Sequence, residues 1–234
     1  MNDTWREQLS KEEHRPAIAA IVTSVAFCTW NVVFDPRFYV ANLANKMALT
    51  GDSVVDAELF RAFGNLLLLA VLVSTIKLVF RQSLADYGLG MGSWSRERWL
   101  VMATPVMLLM GYYAAQQPEY QAYYPDTPGL TDRSLAVFAL HAIVLLTFYI
   151  SWELLFRGFL QSAFLPRLGA AGAIAVQTLA SSIAHADRPD SEMLGSIFIG
   201  VFWGYLAFRT RSIWPVVLQH FLLGLSLDYF LCFP

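Results

Sequence analysis

The chain has 234 residues, of which 56% are hydrophobic and 15% charged, with a formal net charge of −2. Soluble domains average about 25% charged residues, so this deficit excludes an ordinary soluble globule, and the slight acidity argues against a nucleic-acid partner. The two cysteines, Cys28 and Cys232, stand in no metal-ligand spacing; they imply neither a disulfide framework nor a zinc site and read as small buried apolar residues.

Residues 1–16 form a polar lead, with Arg6, Lys11 and Arg15 among Glu7, Glu12 and Glu13. The apolar run from Ala17 to Phe34 is long enough to span a bilayer. It ends in bulky WNVVF rather than a small-x-small cleavage site, so it reads as a retained helix and not a signal peptide. Leu59 to Phe80 is the second expected span and Trp99 to Ala115 the third. Between them, Gly88, Gly90 and Gly92 alternate, but GLGMG lacks the GxGxxG spacing of a phosphate loop and no strand precedes it. Residues 116–132 carry three prolines and several tyrosines, a composition expected at a membrane interface.

Arg133 to Leu165 is the fourth span, unusually long, followed by a turn at Pro166 to Gly172. Ala173 to His185, Glu192 to Phe208 and Ile213 to Leu231 complete the set. The GxxxG spacing of Gly200 and Gly204 reads as close helix packing. The expectation is an all-α, polytopic transmembrane helix bundle of about seven spans, between six and eight. It divides into residues 1–133, a cytoplasmic lead with three helices, and residues 134–234, a core of four. With the N-terminus inside, ten lysines and arginines fall on the inner side and five outside, which favours that orientation.

Within the fourth span, SWELLFRGFL carries a glutamate and an arginine four residues apart, Glu153 and Arg157, on one helical face. Ionisable residues in hydrocarbon are costly and mark function by default; the competing reading is a structural ion pair locking two helices. Glu153 lies 13 residues before the turn at Pro166 and His185 lies 13 residues after Gly172, so the two are expected level on adjacent helices. His220 sits seven residues into the last span, Glu192 seven residues after His185, and Asp228 eight residues after His220. His14 lies in the polar lead and His141 has no obvious partner, so both are set aside. A glutamate in a low-dielectric pocket suits a general base, and histidines suit orienting water or donating to an oxyanion. The equipment is that of water-driven peptide hydrolysis. Zinc held by two histidines and a glutamate is the rival use of the same residues, without HExxH to support it.

With those residues in hand, the segment from about Ala136 to Phe230 resembles the CAAX protease and bacteriocin-processing (CPBP) family of glutamic intramembrane proteases, that of the type II CAAX prenyl endopeptidase. The blocks that carry the resemblance are ELLFRGFL, SSIAH and GxxxGYLAFRTRSIWPVVLQH. It implies a catalytic set of Glu153, Arg157, His185 and His220, with no metal and no cofactor. It also implies a membrane-anchored protein or peptide as substrate, within a bilayer, and a multi-pass place in a bacterial inner membrane. Three positions depart from the family's pattern. Trp152 stands for the first of two consecutive glutamates, Ser181 for a phenylalanine, and Gly224 for an asparagine. Glu192 and Asp228 are expected to support the site in place of the missing groups. The alternatives are a catalytically inactive scaffold or bacteriocin-immunity protein of the same fold, and a proton-coupled transporter. The last is disfavoured because the two halves show no repeat.

Overall fold

A computed structural model describes residues 11–94 and 97–234. The first ten residues, with Arg6 and Glu7 of the polar lead, and Arg96 of the orientation count lie outside the described residues. The described chain is helical: α1 (Arg15–Val33), α2 (Ser53–Ser74), α3 (Thr104–Ala115), α4 (Leu135–Glu153), α5 (Gln161–Ile183), α6 (Asp190–Thr210) and α7 (Trp214–Cys232), with shorter helices at Pro36–Asn42, Arg98–Val101 and Pro118–Tyr123. Two π-helical stretches, Thr75–Val79 and Leu154–Leu160, extend α2 and join α4 to α5.

Among the described residues, five helical runs are long and apolar enough to cross a membrane, against about seven expected spans. The difference has two local causes. The expected fourth and fifth spans lie in one helical run, Leu135–Ile183. The expected turn is reduced to Gly169, whose φ of 63° and ψ of −177° break the helix at a single residue, while Pro166 lies inside a helical turn. Only glycine takes such a backbone without strain. The expected third span is represented by Arg98–Val101 and α3, which opens with a proline in its first turn, and neither is long enough. Outward faces carry exposed Ile21, Val25, Leu66, Leu109, Ile143 and Phe198, as a lipid-facing surface requires. The chain is a multi-pass helical membrane protein.

The helices contribute to two compact units. The first comprises Met1–Phe27, Leu69–Val101 and Trp152–Val216; the second comprises Cys28–Leu68, Met102–Ser151 and Val217–Pro234. In the first, α5 and α6 pack closely through the expected glycines. Gln177 Nε2 donates to the Gly200 carbonyl at 2.9 Å, and Gln161 Nε2 donates to the Gly204 carbonyl at 3.0 Å. The GLGMG segment is a clip on the α6–α7 joint. Ser93 N–H donates to Thr210 O, Ile213 N–H to Gly88 O, and Trp214 Nε1–H to Leu89 O. In the second unit, Val54, Leu130, Phe138 and Cys232 form an apolar core. Asn65 accepts from Trp30 Nε1 and donates to Thr147 Oγ1. The expectation that both cysteines are buried holds for Cys232 and fails for Cys28, which lies on an exposed face of α1. An apolar thiol tolerates a lipid-facing position.

Candidate functional site

In the first unit the chain from Leu154 to Leu160 is a π-helix, and all seven of its residues are buried. π-Turns are rare and concentrate at functional sites, because the extra residue per turn re-aims side chains. Gly158 explains how this one is packed: a Cβ there would lie 2.6 Å from the Tyr87 carbonyl oxygen. Phe159 stacks on Phe80 with centroids 5.6 Å apart, and Phe156 meets Phe27 and Trp152. The Tyr87 backbone cannot retreat, since the clip described above holds its loop. Gly158→Val is therefore expected to destabilise the protein by about 1–3 kcal/mol, measured as a shift of the unfolding midpoint in mixed micelles.

Glu153 caps this turn and Arg157 lies inside it. Arg157 Nη1 is 3.4 Å from Glu153 Oε1, with both side chains withdrawn from solvent. The guanidinium also lies over the Trp203 ring at 5.7 Å. A buried pair of this kind stabilises little by itself, but removing one partner leaves an uncompensated charge.

His185 follows the end of α5. Its Nδ1 is 2.6 Å from the Ser181 carbonyl oxygen. A carbonyl only accepts, so Nδ1 carries a proton, and Nε2 is the nitrogen at which the ring gains or loses one. Glu192 Oε1, on the first turns of α6, lies 3.9 Å from that Nε2. The Trp152 ring meets the imidazole edge-on, with centroids 5.2 Å apart. Gly169 stands sixteen residues after Glu153 and sixteen before His185.

The structure thus forms two of the expected associations within the first unit, Glu153 with Arg157 and His185 with Glu192. His220 and Asp228 belong to the second unit. There the His220 ring lies against Tyr149, with centroids 4.1 Å apart. The Tyr149 hydroxyl occupies the space that a Cβ on Gly224 would take, so the residue that replaces an asparagine is filled from α4.

Asp228 turns out to be held by a residue the sequence reading set aside. His141 is fully buried, with Nδ1 2.8 Å from Glu58 Oε1 and Nε2 2.9 Å from Asp228 Oδ2. Thr127 Oγ1 donates to the same Glu58 oxygen at 2.5 Å. His141 had no partner within reach along the chain because both partners come from other helices, 83 and 87 residues away. The available signal was its type, a histidine inside an apolar run; Glu58 lies just ahead of the second expected span. Beside it, Asp126 lies 3.2 Å from Arg37 and 3.3 Å from Arg61. Among the described residues, no group of three or more His, Cys, Asp and Glu side chains has a geometry that holds a metal ion.

Residues 133–226 match the family model described as Rce1-like, type II CAAX prenyl endopeptidase Rce1-like. No curated protein and no solved structure matches the chain. The matched segment contains Glu153, Arg157, His185, Glu192 and His220, and it ends two residues before Asp228. By that match, the segment carrying this candidate site is similar to the Rce1-like family of type II CAAX prenyl endopeptidases.

Proposed function

We propose that the chain is an intramembrane endopeptidase that hydrolyses a peptide bond near the membrane-embedded tail of a protein or peptide. The catalytic core is assigned to residues 134–234 and the N-terminus to the cytoplasmic side of a bacterial inner membrane. The observation that carries this reading is the state of His185. Its Nδ1–H is committed to a backbone carbonyl, so Nε2 is the ring's proton acceptor, and Glu192 stands where it stabilises the imidazolium that forms. Glu153, buried and held by Arg157, is the second proton acceptor for the attacking water. The same proposal gives His220 the role of hydrogen-bond donor to the developing oxyanion. Asp228 is not part of it, since its carboxylate serves His141.

A specific observation favours the inactive scaffold as the second reading. The indole of Trp152 fills the position of the family's first glutamate and packs directly on His185. One experiment separates the two. The purified protein is placed in lipid nanodiscs with peptides bearing a prenylated cysteine near the C-terminus, and products are identified by mass spectrometry. Turnover that survives a divalent-metal chelator is expected. Binding of the peptide without cleavage would leave the scaffold reading in its place.

A further inference from the structure

A tyrosine of the second unit stands beside His220, the residue given the developing oxyanion in the reading above. Tyr149 is buried on α4, and its ring lies against the His220 imidazole with centroids 4.1 Å apart. From that contact the phenol reaches Gly224, four residues after His220 and on the same face of α7. The hydroxyl oxygen is the atom nearest to where a Cβ on Gly224 would lie, and Cζ and Cε2 follow at 2.8 Å and 3.0 Å from that point. Glycine at 224 is what admits the whole phenol, hydroxyl included, to the α7 backbone. The asparagine of the family's pattern would have no room there, and the group in its space is a donor supplied by α4.

The hydroxyl is set in a rigid frame. α3 holds α7 at the same level: Gly111 lies against the Leu223 carbonyl, where any Cβ would overlap it, and Ser226 Oγ donates to Leu108 O at 2.8 Å. Phe148 meets the Tyr149 ring edge-on, with centroids 5.2 Å apart. Packing does not account for the oxygen. The ring alone makes the contact with His220, and the ring carbons alone exclude a Cβ at 224, so a phenylalanine would fill the space without the cost of burying a polar group. α4 also carries Glu153, four residues after Tyr149 and on the same face of that helix.

We propose that Tyr149 is a further catalytic residue of the peptide hydrolysis inferred above, on which this assignment rests: its hydroxyl is a second donor to the oxyanion, beside His220. As the water oxygen bonds to the scissile carbonyl carbon, the carbonyl π pair moves onto its oxygen. The Tyr149 O–H and a His220 ring N–H donate to that oxygen, and each keeps its proton. The proton of the water passes to the acceptors already assigned, Glu153 and His185. Donors fixed before the charge develops need no reorganisation when it forms.

The test compares the parent with Tyr149→Phe, which keeps the ring and removes only the hydroxyl. Both are placed in lipid nanodiscs with the prenylated peptide and with a phosphinate analogue of it, whose tetrahedral P–O⁻ stands in for the oxyanion. Tyr149→Phe is expected to keep the unfolding midpoint and KM of the parent and to lose kcat by about 10²-fold. Its affinity for the phosphinate is expected to fall about tenfold or more, while its affinity for the substrate peptide stays the same. A kcat within about twofold of the parent overturns the role of Tyr149 and leaves the hydrolase reading standing. A loss of kcat with phosphinate affinity unchanged also overturns it, since the hydroxyl then acts elsewhere than on the oxyanion. A parent that neither cleaves the peptide nor prefers the phosphinate overturns the hydrolase reading itself, and the role of Tyr149 with it.

Discussion

Replacing His141 with leucine is expected to destabilise the protein by about 3–5 kcal/mol, the cost of breaking a buried ion-paired network from one side. The imidazole bridges Glu58 on α2 and Asp228 on α7, and its own helix is α4, so one ring ties three helices of the second unit. With both ring nitrogens on carboxylate oxygens, the cluster needs a shared proton: an imidazolium between two carboxylates, or a neutral ring with one carboxyl protonated. Leucine removes the bridge and leaves both carboxylates buried. Their second oxygens, Glu58 Oε2 and Asp228 Oδ1, have no hydrogen-bond partner among the described residues even in the intact protein. The triple variant His141→Leu, Glu58→Gln, Asp228→Asn removes the charges together with the bridge and is expected to recover most of the loss. Unfolding midpoints in mixed micelles measure both. A single variant within about 1 kcal/mol of the parent would show that the network does not hold these helices together. Because His141 is fully buried, loss of activity in that variant should follow unfolding and vanish at temperatures where it remains folded.

What the sequence revealed depended on the range of the interaction. The helical class and the apolar runs are local properties; most of the runs appear in the structure with shifted ends, while the fourth and fifth share one helical run and the third is too short to span. Glu153 and Arg157 were recognisable as a pair because four residues separate them, and Gly200 and Gly204 as a packing surface for the same reason. The π-turn that carries the pair was not foreseeable: LLFRGFL has no signal for one extra residue per turn, and its packing rests on a carbonyl brought in from Tyr87, 71 residues earlier. His141 shows the same limit. Its partners are supplied entirely by tertiary packing, so a sequence reading could note a buried histidine but could not place Glu58 and Asp228 on it. The turn at Pro166 to Gly172 was expected from composition, and the structure reduces it to Gly169 because one glycine at positive φ is enough to redirect the helix.

Glu153→Gln is expected to lower kcat for peptide cleavage by about 10²–10⁴-fold with KM little changed, the range for loss of a positioned general base. Glutamine keeps the shape of the side chain and removes its charge, which introduces a second effect. Arg157, buried beneath Trp203, loses the counter-charge 3.4 Å away, and the fold should weaken as well. A single variant cannot separate the two effects, but adding Arg157→Leu does. If Glu153 serves only to neutralise Arg157, removing both charges restores stability and activity together. If Glu153 handles the proton of the attacking water, the double variant regains stability and stays inactive. His185→Phe supplies the matching case at the second residue: the ring stays edge-on to Trp152 while Nε2, and with it the 3.9 Å approach of Glu192, is lost. A loss of kcat in His185→Phe comparable to that in the double variant assigns proton transfer to both residues. Full activity in His185→Phe would remove the histidine from the mechanism and leave the proton of the attacking water to Glu153.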